Sequence, residues 1–86
     1  MIGYHVTTPR KLARYQGTGA ILPPVRFFAT REAAAAWARK TQRPLILVIT
    51  VGVAYPLPDH GPAYWTPELV RAWAEVATPP PAALGV

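Results

Sequence analysis

The residues best suited to chemistry lie in the first strand-like segment, where His5 and Thr7 stand two positions apart after an aromatic residue. A histidine ring donates or accepts hydrogen bonds near neutral pH, and a threonine hydroxyl does both. Alternation over residues 2–7 places His5, Thr7 and Gly3 on one face of a predicted strand. A histidine on a half-buried strand is more often a structural residue than a ligand contact, and both roles stay open here.

Composition excludes several kinds of site. The 86-residue chain has neither serine nor cysteine, which excludes Ser–His–Asp and Cys–His triads, disulfides and thiolate zinc sites. His5 and His60 are far apart and only four acids are present, so no metal is expected. There is no GxGxxG or GxxxxGK[ST] motif, so neither of these common phosphate-binding loops is indicated.

The basic side chains are concentrated in the first half of the chain. Residues 1–43 carry eight Lys and Arg against one acid, a net of +7, whereas residues 44–86 carry one Arg against three acids, a net of −2. Four of these side chains are candidates for binding phosphate in a dinucleotide or a nucleic acid, namely Arg10, Lys11, Arg14 and Arg26. A solvated helix face is the alternative interpretation of the first three.

Periodicity and capping residues predict a small α/β (α+β) domain with the order βαβαβ-loop-α. The predicted elements are a strand over 2–7, a helix over 9–16 ended by Gly17, a strand over 25–29, a helix from the Thr30 cap to about 41, a central strand over 45–53, and a helix over 67–77. The apolar stripe of the last helix is Leu69, Val70, Trp73, Val76 and Ala77. Prolines indicate a loop over 55–64. One domain is predicted over residues 1–78, followed by a Pro-rich tail over 79–86.

The overall balance of residues indicates a globular protein. Hydrophobic residues make up 51% of the chain and charged residues 15%. The longest apolar run, over residues 45–54, is about half of the roughly 20 residues that a membrane span requires. The first residues do not have the pattern of a secretion signal, so a cytoplasmic location is expected.

Two motifs resemble those of the ADP-ribosyltransferase superfamily, in the branch of the diphtheria-type toxins and the poly-ADP-ribose polymerases. Tyr4-His5-Val6-Thr7 resembles that family's His-x-Thr after an aromatic residue. Phe27-Phe28-Ala29, followed by Trp37 on the next helix, is similar to its second motif. The resemblance covers about residues 2–53 and implies a truncated ADP-ribosyltransferase fold with NAD as the cofactor. It implies that His5 contacts a ribose hydroxyl beside Thr7, and that Phe28 and Trp37 line the pocket, with Trp37 at the nicotinamide. A core position for Trp37 is the alternative.

The family's third motif, a late strand with a catalytic glutamate, has no counterpart. Glu68 and Glu75 fall on a predicted helix, and Asp59 falls in a predicted loop. The resemblance therefore implies a domain that binds NAD or a related nucleotide with weak or no catalysis, and it leaves open whether the protein is an enzyme. Two other functions fit the sequence: a nucleic-acid-binding accessory protein that uses the basic N-terminal half, and a protein-interaction module such as a toxin–antitoxin partner.

Overall fold

A computed structural model describes residues 1–76 as a compact α+β domain with two helices and a six-stranded antiparallel sheet. The elements in chain order are β1 (Ile2–Thr7), α1 (Pro9–Thr18), β2 (Val25–Phe28), α2 (Arg31–Thr41), β3 (Leu45–Thr50), β4 (Tyr55–Pro56), β5 (Ala63–Thr66) and β6 (Ala74–Val76). The strand order is β4-β5-β2-β1-β3-β6. The predicted tail over 79–86 lies outside the described residues. Neither α1 nor α2, the helices of this described part, has the length and apolar character that a membrane span needs.

The centre of the sheet is formed by β1 and β3, which pair along their whole length from Ile2↔Thr50 to Thr7↔Leu45. Ile46 and Leu47 point to opposite faces of β3, and both are buried. The sheet is therefore covered on both sides, as the almost wholly apolar sequence of β3 predicts. The strand ends at Thr50, three residues earlier than predicted.

One face of the sheet is covered by α2, whose predicted boundaries are confirmed. The Thr30 hydroxyl accepts a hydrogen bond from the backbone N–H of Ala33, which caps the helix. Ala34 and Ala38 are buried against the sheet with Val6 and Ile46. Because alanine side chains are short, the helix axis can lie close to the strands.

The other face is covered by α1 and by the irregular chain after β3. Leu12 is the buried residue of α1 and joins a core cluster that includes Phe27 and Leu47. The helix ends at Thr18, and the prediction that Gly17 ends it is wrong. Gly19 is the residue with positive φ, at 78°, and its N–H donates to the Tyr15 carbonyl at 2.7 Å.

The predicted helix over 67–77 is wrong within the described residues. Val70 instead exchanges backbone hydrogen bonds of 2.7 and 3.1 Å with Ile21, and residues 74–76 form β6 on the open edge of β3. The residues of the predicted apolar stripe do not share one buried surface, because Val70 is buried and Leu69 is exposed. Backbone pairing with distant segments has therefore displaced a local helical preference.

The predicted loop over 55–64 is wrong at its two ends. β5 pairs with all four residues of β2, and the two residues of β4 pair with β5. Tyr64 stacks on Phe27 with ring centroids 5.9 Å apart, and Trp65 packs on Tyr55 at 5.1 Å. The aromatic residues before Thr66 thus stabilise a sheet edge, and the prolines are confined to β4 and the connecting turn.

Candidate functional site, a basic cleft beside His5

A cleft lies where the two strands that carry the sequence motifs separate. β1 and β2 are paired at Tyr4↔Phe28. Two residues before Phe28, the backbone carbonyl of Arg26 accepts a hydrogen bond from the His5 ring, with Nδ1 and O 2.6 Å apart. A side chain therefore joins the strands beside the point where their backbones pair.

This opening, here called the His5 cleft, has a volume of about 590 Å³. Its wall includes the rings of Tyr15, Phe28 and Trp37, together with apolar residues of the loops on either side. Its ionisable residues are basic groups, namely His5, Lys11, Arg14, Arg26, Arg43 and His60, together with the phenol of Tyr15. No aspartate or glutamate is among the described residues that line it, so the cleft favours an anionic ligand.

The hydrogen bonds around His5 determine which ring nitrogen carries the proton. A carbonyl only accepts, so Nδ1 donates to the Arg26 oxygen. In the neutral ring Nε2 then accepts, and the Tyr15 hydroxyl donates to it across 3.1 Å. The Tyr15 oxygen in turn accepts a long hydrogen bond of 3.4 Å from the Thr7 hydroxyl. The direction of every bond in this network is consistent with a neutral His5.

Electrostatics reinforce the neutral state of His5. Burial lowers its pKa below the ordinary value of 6.5, and this effect is larger than the opposing one of the hydrogen bond to the Arg26 carbonyl. The positive charges of Lys11 and Arg43 lower the pKa further. At neutral pH, His5 therefore presents an uncharged imidazole to the cleft.

The remaining residues suggested by the two motifs divide between the cleft and the core. Phe28 and Trp37 are half-buried, line the cleft with His5, and have ring centroids 6.1 Å apart. Thr7 lies on the same face of β1 as His5, but it is fully buried and is not part of the cleft wall. Thr7 therefore acts on His5 through Tyr15, not by direct contact with a ligand in the cleft.

The predicted phosphate-binding residues are also divided. Lys11, Arg14 and Arg26 line the cleft. Arg10 does not, and it lies instead in a shallower depression of about 450 Å³ whose other lining residues are Thr8, Lys11 and Arg14. The two concavities thus share Lys11 and Arg14.

Sequence reasoning missed Tyr15 and Arg43. Tyr15 follows the buried Leu12 by three positions on α1, so helical spacing was the available signal that it faces β1. Arg43 follows the αL cap of α2 at Gln42, and its N–H donates to the Ala38 carbonyl at 3.0 Å, which turns the chain back toward the sheet. Nothing in the local sequence indicates where this turn directs the side chain.

The four acids of the chain lie outside the cleft. Glu68 accepts hydrogen bonds from the backbone N–H groups of Gly52 and Val53 at 2.6–3.0 Å, and these bonds lower its pKa. Glu75 is exposed on β6, beside Leu47 of β3. Within residues 1–76, no group of three or more histidine and acidic side chains is arranged to hold a metal ion.

No protein-family model, curated protein or solved structure matches the chain. The geometry of the cleft is therefore the basis for a functional proposal.

Proposed function

We propose that the protein is a small cytoplasmic domain that binds NAD or a related nucleotide in the His5 cleft, with weak or no transfer chemistry. The observation that supports this most is the set of side chains in one cavity. His5 and the aromatic rings of Phe28 and Trp37 lie beside four Lys and Arg side chains, and no acid is present among the described lining residues.

Each part of this set suits a part of a nucleotide. Arginine and lysine bind phosphate oxygens, and aromatic rings stack on bases. The neutral His5 offers a hydrogen-bonding ring for a sugar hydroxyl, provided that the hydroxyl replaces or shares the bond with Tyr15. A volume of about 590 Å³ is within the range of small-molecule sites.

The expectation of weak or no catalysis follows from the charges of the side chains that line the cleft. Breaking a glycosidic bond develops positive charge, which a carboxylate stabilises, and the cleft wall supplies cations instead. The Glu68 carboxylate is engaged by two backbone N–H groups, and Glu75 is exposed on an outer strand. The cleft is better suited to retaining an anion than to stabilising a cationic transition state.

Calorimetric titration of NAD at low and moderate salt tests the proposal. We expect saturable binding to the wild type and at least tenfold weaker binding to His5→Ala and to Arg26→Ala. The Arg26 side chain is exposed, so its removal leaves the fold and the backbone bond to His5 in place. Arg39→Ala on the exposed side of α2 is the matched control and keeps wild-type affinity. A cooperatively folded wild type that binds neither NAD, ADP-ribose nor AMP overturns the proposal.

A further inference from the structure

The positive surface of the cleft continues onto the outside of α1. Lys11 and Arg14 line both the His5 cleft and the neighbouring depression, and Arg10 lines the depression alone. Arg10 and Arg14 are one turn apart on the helix, so the three side chains form one surface, here called the α1 basic face. A ligand held in the cleft therefore has cations beside it beyond the cleft opening.

The charges of the α1 basic face do not serve the helix. Arg10 and Lys11 lie in the first turn, where the helix dipole disfavours cations, and α1 has no acid in its first turn and no base in its last. Arg10 and Arg14 also repel each other at a spacing of four residues. Neither the helix dipole nor pairing along the helix therefore accounts for the three cations of the α1 basic face.

We infer that the His5 cleft and the α1 basic face together bind single-stranded nucleic acid. One nucleotide enters the cleft, where its base contacts the rings of Phe28 and Trp37, and the adjoining phosphates lie along Lys11, Arg14 and Arg10. This inference rests on the proposed function, since it identifies the nucleotide in the cleft as part of a longer strand.

The aromatic wall of the cleft favours a single strand over the other polyanions. In a duplex the faces of the bases are stacked on one another, so Phe28 and Trp37 have no base to contact. An acidic peptide satisfies the cations but has no planar group to place against these rings. A single strand supplies both phosphates and an accessible base from one molecule.

Binding of octa-adenylate, in ribose and deoxyribose forms, tests the inference when it is compared with AMP. We expect the octamer to bind the wild-type protein at least tenfold more tightly than AMP. With about three phosphates contacted, the slope of log K against log salt concentration is expected to be about −2. A preference for ribose or deoxyribose identifies the kind of strand and supports the inference, and so does equal affinity.

Paired charge reversals separate a local contact from net charge. Arg10→Glu is expected to weaken octamer binding at least tenfold, to weaken AMP binding by much less, and to reduce the salt slope. Arg39→Glu makes the same change of charge on α2 and is expected to leave octamer affinity within twofold. Arg26→Ala, on the cleft wall, is expected to weaken both ligands.

Several results would overturn the inference. If AMP or NAD binds and the octamer binds no more tightly, the cleft takes a free nucleotide and the proposed function stands alone. If Arg26→Ala leaves octamer binding unchanged, the strand does not enter the cleft. If Arg10→Glu and Arg39→Glu weaken octamer binding equally, binding depends only on the net charge of the protein. The same conclusion follows if an adenine–thymine duplex or an octaglutamate peptide binds as tightly as the octamer.

Discussion

The two helices cover opposite faces of one sheet and are built to similar plans. They have 10 and 11 residues, each begins with a threonine cap, and each ends at a residue in the left-handed conformation. Their charges, however, are arranged differently. In α2, Glu32 lies in the first turn beside Arg31, and Arg39 and Lys40 lie in the last turn, as the helix dipole favours. In α1, Arg10 and Lys11 lie in the first turn, Arg14 lies one turn after Arg10, and the first turn has no acid.

The contacts of the helices with the sheet differ as well. α2 packs through two buried alanines, Ala34 and Ala38, against an apolar surface. α1 has Leu12 as its buried residue, and its second attachment is the polar network of Tyr15 with His5. The sequence of α2 is thus accounted for by the stability of the fold, except at Trp37, which also lines the cleft. The sequence of α1 is better accounted for by the cleft that it borders.

The largest effect that we expect from this difference is in the packing of α1. Leu12→Ala removes the one buried apolar side chain of the helix and is expected to lower the free energy of unfolding by about 2–4 kcal/mol. The matched change in α2, Ala38→Gly, is expected to cost about 1 kcal/mol. Urea unfolding monitored by circular dichroism measures both. A loss below about 1 kcal/mol for Leu12→Ala would mean that other contacts anchor α1.

The polar attachment of α1 is expected to contribute less than Leu12. Tyr15→Phe leaves the buried Thr7 hydroxyl without its acceptor and His5 Nε2 without its donor, at a cost of about 1–2 kcal/mol. Because the Tyr15 hydroxyl stabilises the neutral ring, its loss is expected to raise the pKa of His5, which NMR titration measures. Tyr4→Phe on the α2 side of the sheet is the control, expected within about 0.5 kcal/mol of wild type. A His5 pKa that stays unchanged in Tyr15→Phe would contradict the assigned direction of the bond.

The elements predicted correctly are those with local causes. Thr8 and Thr30 cap their helices, and their hydroxyls accept from residues three positions later. The strands β1 and β3 follow from alternation and from a run of β-branched residues. The segment over 67–76 was wrongly predicted because its partners are Ile21 and β3, which are distant in sequence. The apolar spacing around Trp73 is compatible with a helix, and only these tertiary pairings exclude it.

Some residues of the candidate site could be predicted from the sequence, and others could not. Alternation alone places His5 and Phe28 on opposite faces of the sheet, because Phe28 pairs with Tyr4, and they line one cleft only where β1 and β2 separate. Helical spacing was enough to direct Trp37 toward the sheet. Thr7 shares the face of His5, yet strand periodicity does not distinguish a cleft position from a buried one. Arg43 lines the cleft because the chain reverses direction after α2. The periodicity of the sequence does not predict this reversal.

The pH dependence of stability is expected to arise on the α1 side of the sheet. Burial lowers the pKa of folded His5 below 6.5, so the unfolded chain binds the proton more readily. Stability is therefore fully present above about pH 6.5, falls as the pH drops from 6.5 toward the folded pKa, and levels off below it. His5→Gln is expected to reduce this loss, whereas the exposed His60→Gln keeps it. Thermal unfolding between pH 4 and 8 measures the difference, and an unchanged profile in His5→Gln would assign the titration to another group.

A pair of charge reversals is expected to have the smallest effects on the free energy of unfolding, and it distinguishes the two helices most directly. Arg10→Glu replaces a cation by an acid in the first turn of α1 and is expected to stabilise the protein by about 0.3–1 kcal/mol at low salt. Arg39→Glu makes the same change in the last turn of α2 and is expected to destabilise it by a similar amount. Both effects should shrink as salt screens the charges, which unfolding at two salt concentrations measures. If Arg10→Glu destabilises the fold, then Arg10 serves the structure. If it stabilises the fold while nucleic-acid affinity falls, the charge on α1 is retained for a ligand at the expense of the helix.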